Sequence, residues 1–109
     1  MTDDFYCDEL LSGRTPVQVV EETANVLAFH HTRPSYAVHI VVIPKRHIPS
    51  LLALSDADDR LLAEMFAIIR QVAAQVTDQR GACRVVTNIG AYQDSKHLRW
   101  HVYSDHPAR

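Results

Sequence analysis

His97-Leu98-Arg99-Trp100-His101-Val102-Tyr103 is the stretch on which the reading of this chain turns. Side chains alternate across an extended strand, so the segment sorts into two faces. Leu98, Trp100 and Val102 form an apolar face, suited to packing on a helix. His97, Arg99, His101 and Tyr103 form the other, a nitrogen-rich row that a core would not accept without partners. One reading of that row is an exposed sheet face of solvated polar groups. The other is an anion site, because closely spaced cations repel unless an anion sits among them. Phosphate fits the donors, since arginine grips it bidentately and histidine donates to it. The permanent charge of Arg99 should also disfavour protonation of the histidines beside it.

Working outward, Arg84 to Asn88 reads as a strand, and Asn88-Ile-Gly-Ala-Tyr-Gln93 as a glycine-containing loop leading into the row. Amide side chains in that loop could help hold a phosphate. Before it, Leu61, Leu62, Met65, Ile69, Val72, Ala73 and Val76 recur at helical spacing. Ser55 with Asp58 marks the start of this helix, and Gly81 its end. Phe66 and Ile68 lie outside the main stripe and are free to face a partner. Val38-His-Ile-Val-Val-Ile43 is the clearest strand, rich in β-branched residues and stopped by Pro44. A histidine within such a strand, His39, is usually a satisfied core residue; its functional alternative is to orient a reactive histidine. Val17 to Glu21 and Asn25 to Phe29 suggest a hairpin, and Asp8 to Ser12 a short helical turn ended by Gly13. The order β-β-β-α-β-β predicts an α+β fold, an antiparallel sheet with helices on one face.

Bulk composition narrows the function. The 109 residues fit one domain over 1–109, and 47% hydrophobic with 22% charged residues supports one modest core. A net charge of −2 makes no electrostatic case for nucleic acid or for an anionic membrane. No apolar run approaches bilayer length, and the N-terminus lacks a signal-peptide pattern. Two cysteines form no disulfide framework, so a reducing, cytoplasmic setting is expected. Seven histidines is a high number for this length, and position has to decide among metal binding, proton transfer and anion binding.

Phe29-His-His-Thr-Arg-Pro-Ser-Tyr-Ala-Val-His39 with Val41-Val-Ile-Pro-Lys-Arg-His-Ile48 resembles the central signature of histidine-triad (HIT) proteins. Asn88-x-Gly90, Gln93 and His97-Leu-x-Trp-His101-Val resemble its C-terminal signature. The resemblance covers the chain from about Cys7 to Tyr103. It implies an HIT-like fold: a five-stranded antiparallel sheet, a long central helix and a short N-terminal helix. It also implies a homodimer, built on the central helix and an edge strand, that binds a nucleotide or similar phosphoester and hydrolyses or transfers it.

In the family, the middle histidine of His-x-His-x-His attacks the phosphate to form a covalent nucleotidyl-histidine. The resemblance sets Arg99 at that position, and arginine has no lone pair for attack. His97 and His101 match the flanking histidines, and His39 the supporting one. Asn88, Gln93 and Ser95 match phosphate-contacting positions. His31 stands where relatives carry an acidic or amide residue for the ribose hydroxyls, which puts an ordinary ribonucleoside in doubt. The expected function is thus a diverged nucleotidyl hydrolase or transferase in which Arg99 stabilises charge and His97 or His101 supplies acid–base or nucleophilic function; the alternative is a non-catalytic nucleotide or phosphoanion-binding module. No cofactor is expected. Some relatives hold zinc through a Cys-x-x-Cys pair and histidines matching His47 and His97. Here Asp4 replaces the first cysteine of the pair with Cys7, and the reading adopted is no metal, with Cys7 packing beneath the helix.

Overall fold

The computed structural model describes residues 10–13 and 16–107. Five strands, β1 (Val19–Glu22), β2 (Val26–His30), β3 (Val38–Pro44), β4 (Arg84–Thr87) and β5 (Trp100–Ser104), form one antiparallel sheet in the order β1-β2-β3-β5-β4. One long helix, α1 (Asp59–Arg80), lies between β3 and β4 in sequence. The α+β fold with a five-stranded antiparallel sheet and one long helix is as the sequence predicts.

The start of α1 follows its chemistry. The Asp58 carboxylate accepts the Ser55 N–H at 3.0 Å and pairs with the Arg46 guanidinium, holding a 3-10 turn that runs into the helix. The helix stops at Gly81, whose φ of 86° is a left-handed position that a side chain would strain; its N–H closes on the Thr77 carbonyl at 2.7 Å. Glu64 on α1 accepts from the Thr23 hydroxyl and from Asn25 Nδ2 at 3.1 Å, which pins the β1–β2 turn to the helix.

Two separate apolar clusters lie on the two faces of the sheet. Met65, Ile69, Val72 and Val76 of α1 pack on Val26, Ala28, Ile40, Val42, Leu98, Trp100 and Val102. Each such side chain, fully buried, contributes about 1.5–3 kcal/mol. The opposite face carries a smaller cluster, in which Leu10 covers Leu27, Phe29, Val41 and Ile43 with help from Leu11 and Val17. Among the described residues, that cover lies over the β2–β3 half, and the half formed by β3, β5 and β4 carries polar rings.

Several boundaries differ from expectation. The last strand starts at Trp100, so His97 and Arg99 precede it and the alternation read from His97 holds as strand only from Trp100. The first hairpin sits slightly later in sequence, and its first strand is irregular between Val19 and Glu21. Ile68 is buried in the helix–sheet core rather than turned towards a partner, because a helix over a twisted sheet buries a stripe wider than one row. Asp8 of the expected N-terminal helix lies outside the described residues; Leu10–Gly13 forms a turn closed by Gly13 N–H on the Leu10 carbonyl at 3.2 Å. Asp4 and Cys7 also lie outside them.

Candidate functional site

The polar half-face is assembled by register. β3 pairs with β5 so that His39 faces Tyr103 and Val41 faces His101, while β4 sets Val86 opposite His101. The result is a cavity of about 250 Å³ lined by Ser35, Tyr36, His39, Val86, Asn88, His101 and Tyr103. Three predicted site residues, His39, His101 and Asn88, therefore meet in one cavity. His31 joins them from the end of β2: its ring stacks on His39 at 4.4 Å and lies 6.2 Å from His101. Its Nδ1 accepts the Arg33 N–H at 2.9 Å, and its own N–H donates to the His39 carbonyl at 2.8 Å.

Nitrogen meets nitrogen at the centre of the site. His39 Nε2 lies 2.8 Å from His101 Nδ1, and on the far side of His39 the Ser35 N–H donates to Nδ1 at 3.3 Å. Tyr36 completes the enclosure, its ring edge-on to His39 at 5.3 Å and stacked on Tyr103 at 4.0 Å. This Tyr36–Tyr103 wall went unread in the sequence. Tyr36 lies in a turn and reaches Tyr103 only through strand pairing.

Burial, followed by the neighbouring charge of Arg99 and the His31 ring, lowers His101 to about 4. Burial, then the His31 and His101 rings, lowers His39 to about 4 as well. His31 is lowered too, by burial first and Arg99 second. At neutral pH these rings are uncharged, and the fixed cation beside them is Arg99. The expected opposition between Arg99 and histidine protonation is thus present at His101. Arg99 itself is only 7% exposed at its side chain, and an oxygen of the solvent-exposed Asp94 carboxylate stands 4.0 Å from its Nη2. The Asp94 charge partly offsets the effect of Arg99 on His101.

The remaining predicted residues are placed elsewhere. His97 is fully buried at the other end of the row, its Nε2 2.8 Å from the Pro44 carbonyl and its ring edge-on to His47 at 5.6 Å. Gln93 is engaged in bracing its own loop: Nε2 donates to the Pro49 carbonyl at 2.8 Å, and Oε1 accepts the Gly90 N–H at 3.3 Å. Ser95 is buried, and its carbonyl also receives Gln93 Nε2. The row read as one face of four groups is therefore divided, with His101 and Tyr103 lining the cavity and His97 set in the interior. Among the described residues, no group of three or more His, Cys, Asp or Glu is arranged to hold a metal ion.

A family model described as the HIT domain matches residues 12–108. A HIT-like protein of Synechocystis is 32% identical over 98% of this chain and 95% of its own length. A HIT family hydrolase from Legionella pneumophila superposes with a TM-score of 0.82 at 29% identity, over 93% of this chain and 91% of that one. A hypothetical histidine triad nucleotide-binding protein from Sulfolobus tokodaii gives 0.81 at 26%, over 93% and 68%.

Proposed function

The chain belongs to the HIT domain family, and on that premise we propose that it binds a nucleotide or another small phosphorylated ligand at the His39–His101 cavity. The observation that carries this reading is the pairing of a neutral, hydrogen-bonded His101 at the cavity with the permanent charge of Arg99 beside it. A phosphate placed there would meet a ring N–H donor in the field of a fixed cation at a partly water-excluded surface, where such interactions gain strength. Asn88, in the same lining, supplies a further amide. The name of the Sulfolobus relative lends support to a nucleotide as the ligand.

Arg99 stands where the resemblance expects the nucleophile, so the reading excludes a covalent intermediate at that residue. The Legionella relative's name favours hydrolysis as a second reading; Arg99 would then stabilise charge while His101 moves a proton. Calorimetric titration with adenosine monophosphate and with inorganic phosphate tests binding, and failure of both at millimolar concentration would overturn it. Phosphorus NMR of a nucleotide panel then separates binding alone from turnover. Arg99→His should raise nucleotidyl hydrolysis if the rest of the cavity is competent.

The proposed assembly is a homodimer through α1 and the edge strand β4. Phe66, Val85 and Ile89 are exposed apolar groups in this region, and Phe66 packs edge-on against Trp100 at 5.5 Å. A monomeric mass by light scattering at micromolar concentration would rule it out.

A further inference from the structure

We propose that the main-chain N–H of Ser35 locks the tautomers of the His39–His101 pair, so that His101 presents an N–H donor and never a free lone pair to the cavity. The inference deepens the anion-binding reading and rests on it for the choice of ligand, though not for the lock itself.

The argument is one of donors and acceptors. A main-chain N–H can only donate, so His39 Nδ1, at 3.3 Å from Ser35 N, must accept. A neutral imidazole carries one proton, which then has to sit on His39 Nε2. That atom faces His101 Nδ1 at 2.8 Å, so His39 donates and His101 Nδ1 accepts. The single proton of neutral His101 is left on Nε2. Reversing the chain would turn a protonated His39 Nδ1 against the Ser35 N–H, two donors face to face in a half-buried site. A third proton is resisted on the same ground from both ends: on His101 it opposes His39 Nε2–H, and on His39 it opposes Ser35. The low proton affinity of both rings agrees with this.

The consequence separates two chemistries at one residue. A nucleophilic histidine needs an unprotonated nitrogen towards phosphorus, whereas an anion clamp needs a proton there. With His101 Nε2–H at the cavity and the Arg99 charge acting on that ring, the site offers a donor in a positive field, the complement of a phosphate or carboxylate oxyanion. His101 therefore does not take over the nucleophile's role that Arg99 cannot fill. Ser35 is a positioning residue, acting through its backbone rather than its hydroxyl.

Long-range proton–nitrogen correlation spectra of ¹⁵N-labelled protein without ligand test the lock directly. The expected result near neutral pH is pyridine-type Nδ1 and pyrrole-type Nε2 on both rings. A protonated His101 Nδ1 would overturn the proposal. Ser35→Ala keeps the N–H and should leave both tautomers unchanged. Ser35→Pro removes the N–H and should give mixed tautomers on both rings, with their titration shifted upward; unchanged tautomers in a folded variant would overturn the role of Ser35. Should that variant not fold, the spectrum of the native protein decides. Titration with inorganic phosphate is read separately. Locked tautomers with no response to phosphate would discard the anion reading and keep the lock, whereas reversed tautomers with phosphate bound would do the opposite.

Discussion

Two histidine pairs stand at opposite ends of the same row, and they differ in what holds them. His97 is sealed in the interior, with Nε2 on the Pro44 carbonyl and its ring against His47. His101 lines the cavity, with Nδ1 on His39 and Nε2 directed away from that bond. A carbonyl partner can only accept, so it fixes a histidine as a donor into the protein. A chain that ends on a main-chain N–H fixes the donor outward instead. Burial alone does not separate these roles; the type of backbone group at the end of each chain does.

Replacing His97 should have the largest effect. His97→Ala removes a fully buried ring and leaves the Pro44 carbonyl without that partner, at a cost of about 3–4 kcal/mol from lost packing and an unmet acceptor. His101→Ala should cost far less stability while weakening phosphate binding. Denaturant unfolding of both variants measures the contrast, and equal losses would erase the distinction between the pairs.

Acid should act on the cavity pair next. His39 and His101 are held at about 4 in the folded protein, against about 6.5 in an unfolded chain. Between those values the unfolded chain binds more protons, so stability falls as pH drops from about 6.5 to about 4. Above 6.5 both states carry neutral rings and the effect is absent. Replacing both histidines by glutamine should flatten this part of the profile, as followed by thermal unfolding at graded pH.

Arg99→Ala should weaken phosphate binding by about 1.5–3 kcal/mol, the scale of hydrogen bonds to charged groups. Calorimetry measures the change, and an unaltered affinity would remove Arg99 from the site. The smallest effect is expected from Asp94→Asn. Its carboxylate is solvent-exposed and 4.0 Å from Arg99, so removing its charge should strengthen phosphate binding only slightly. The gain should shrink with added salt.

The legible parts of the chain were those governed by local pattern. The Leu61–Val76 stripe, the Ser55–Asp58 start and Gly81 locate α1 within a few residues, and the β-branched run marks β3. His39, His101 and Asn88 could be grouped from their motifs. What escaped depends on distant pairing. Tyr36 becomes part of the wall only through Tyr103, and Ser35 acquires its role only because the turn before β3 folds back on His39. Alternation alone did not reveal that His97 is buried, since the strand it presumes begins three residues later, at Trp100. Gln93 carries an amide of the right type, yet its loop takes that amide for its own closure.

The two-cluster arrangement of the sheet also bears on how such a chain can diversify. The helix-side core is built from α1 and the inward residues of the strands, whereas the cavity on the other side adds Ser35 and Tyr36 from the turn before β3 and Asn88 from the end of β4 to its strand residues. Substitutions in those connections reach the cavity without passing through the main hydrophobic layer. Mutational tolerance is thereby concentrated around the cavity, whose lining can drift over generations while the scaffold stays under a separate, purely folding selection.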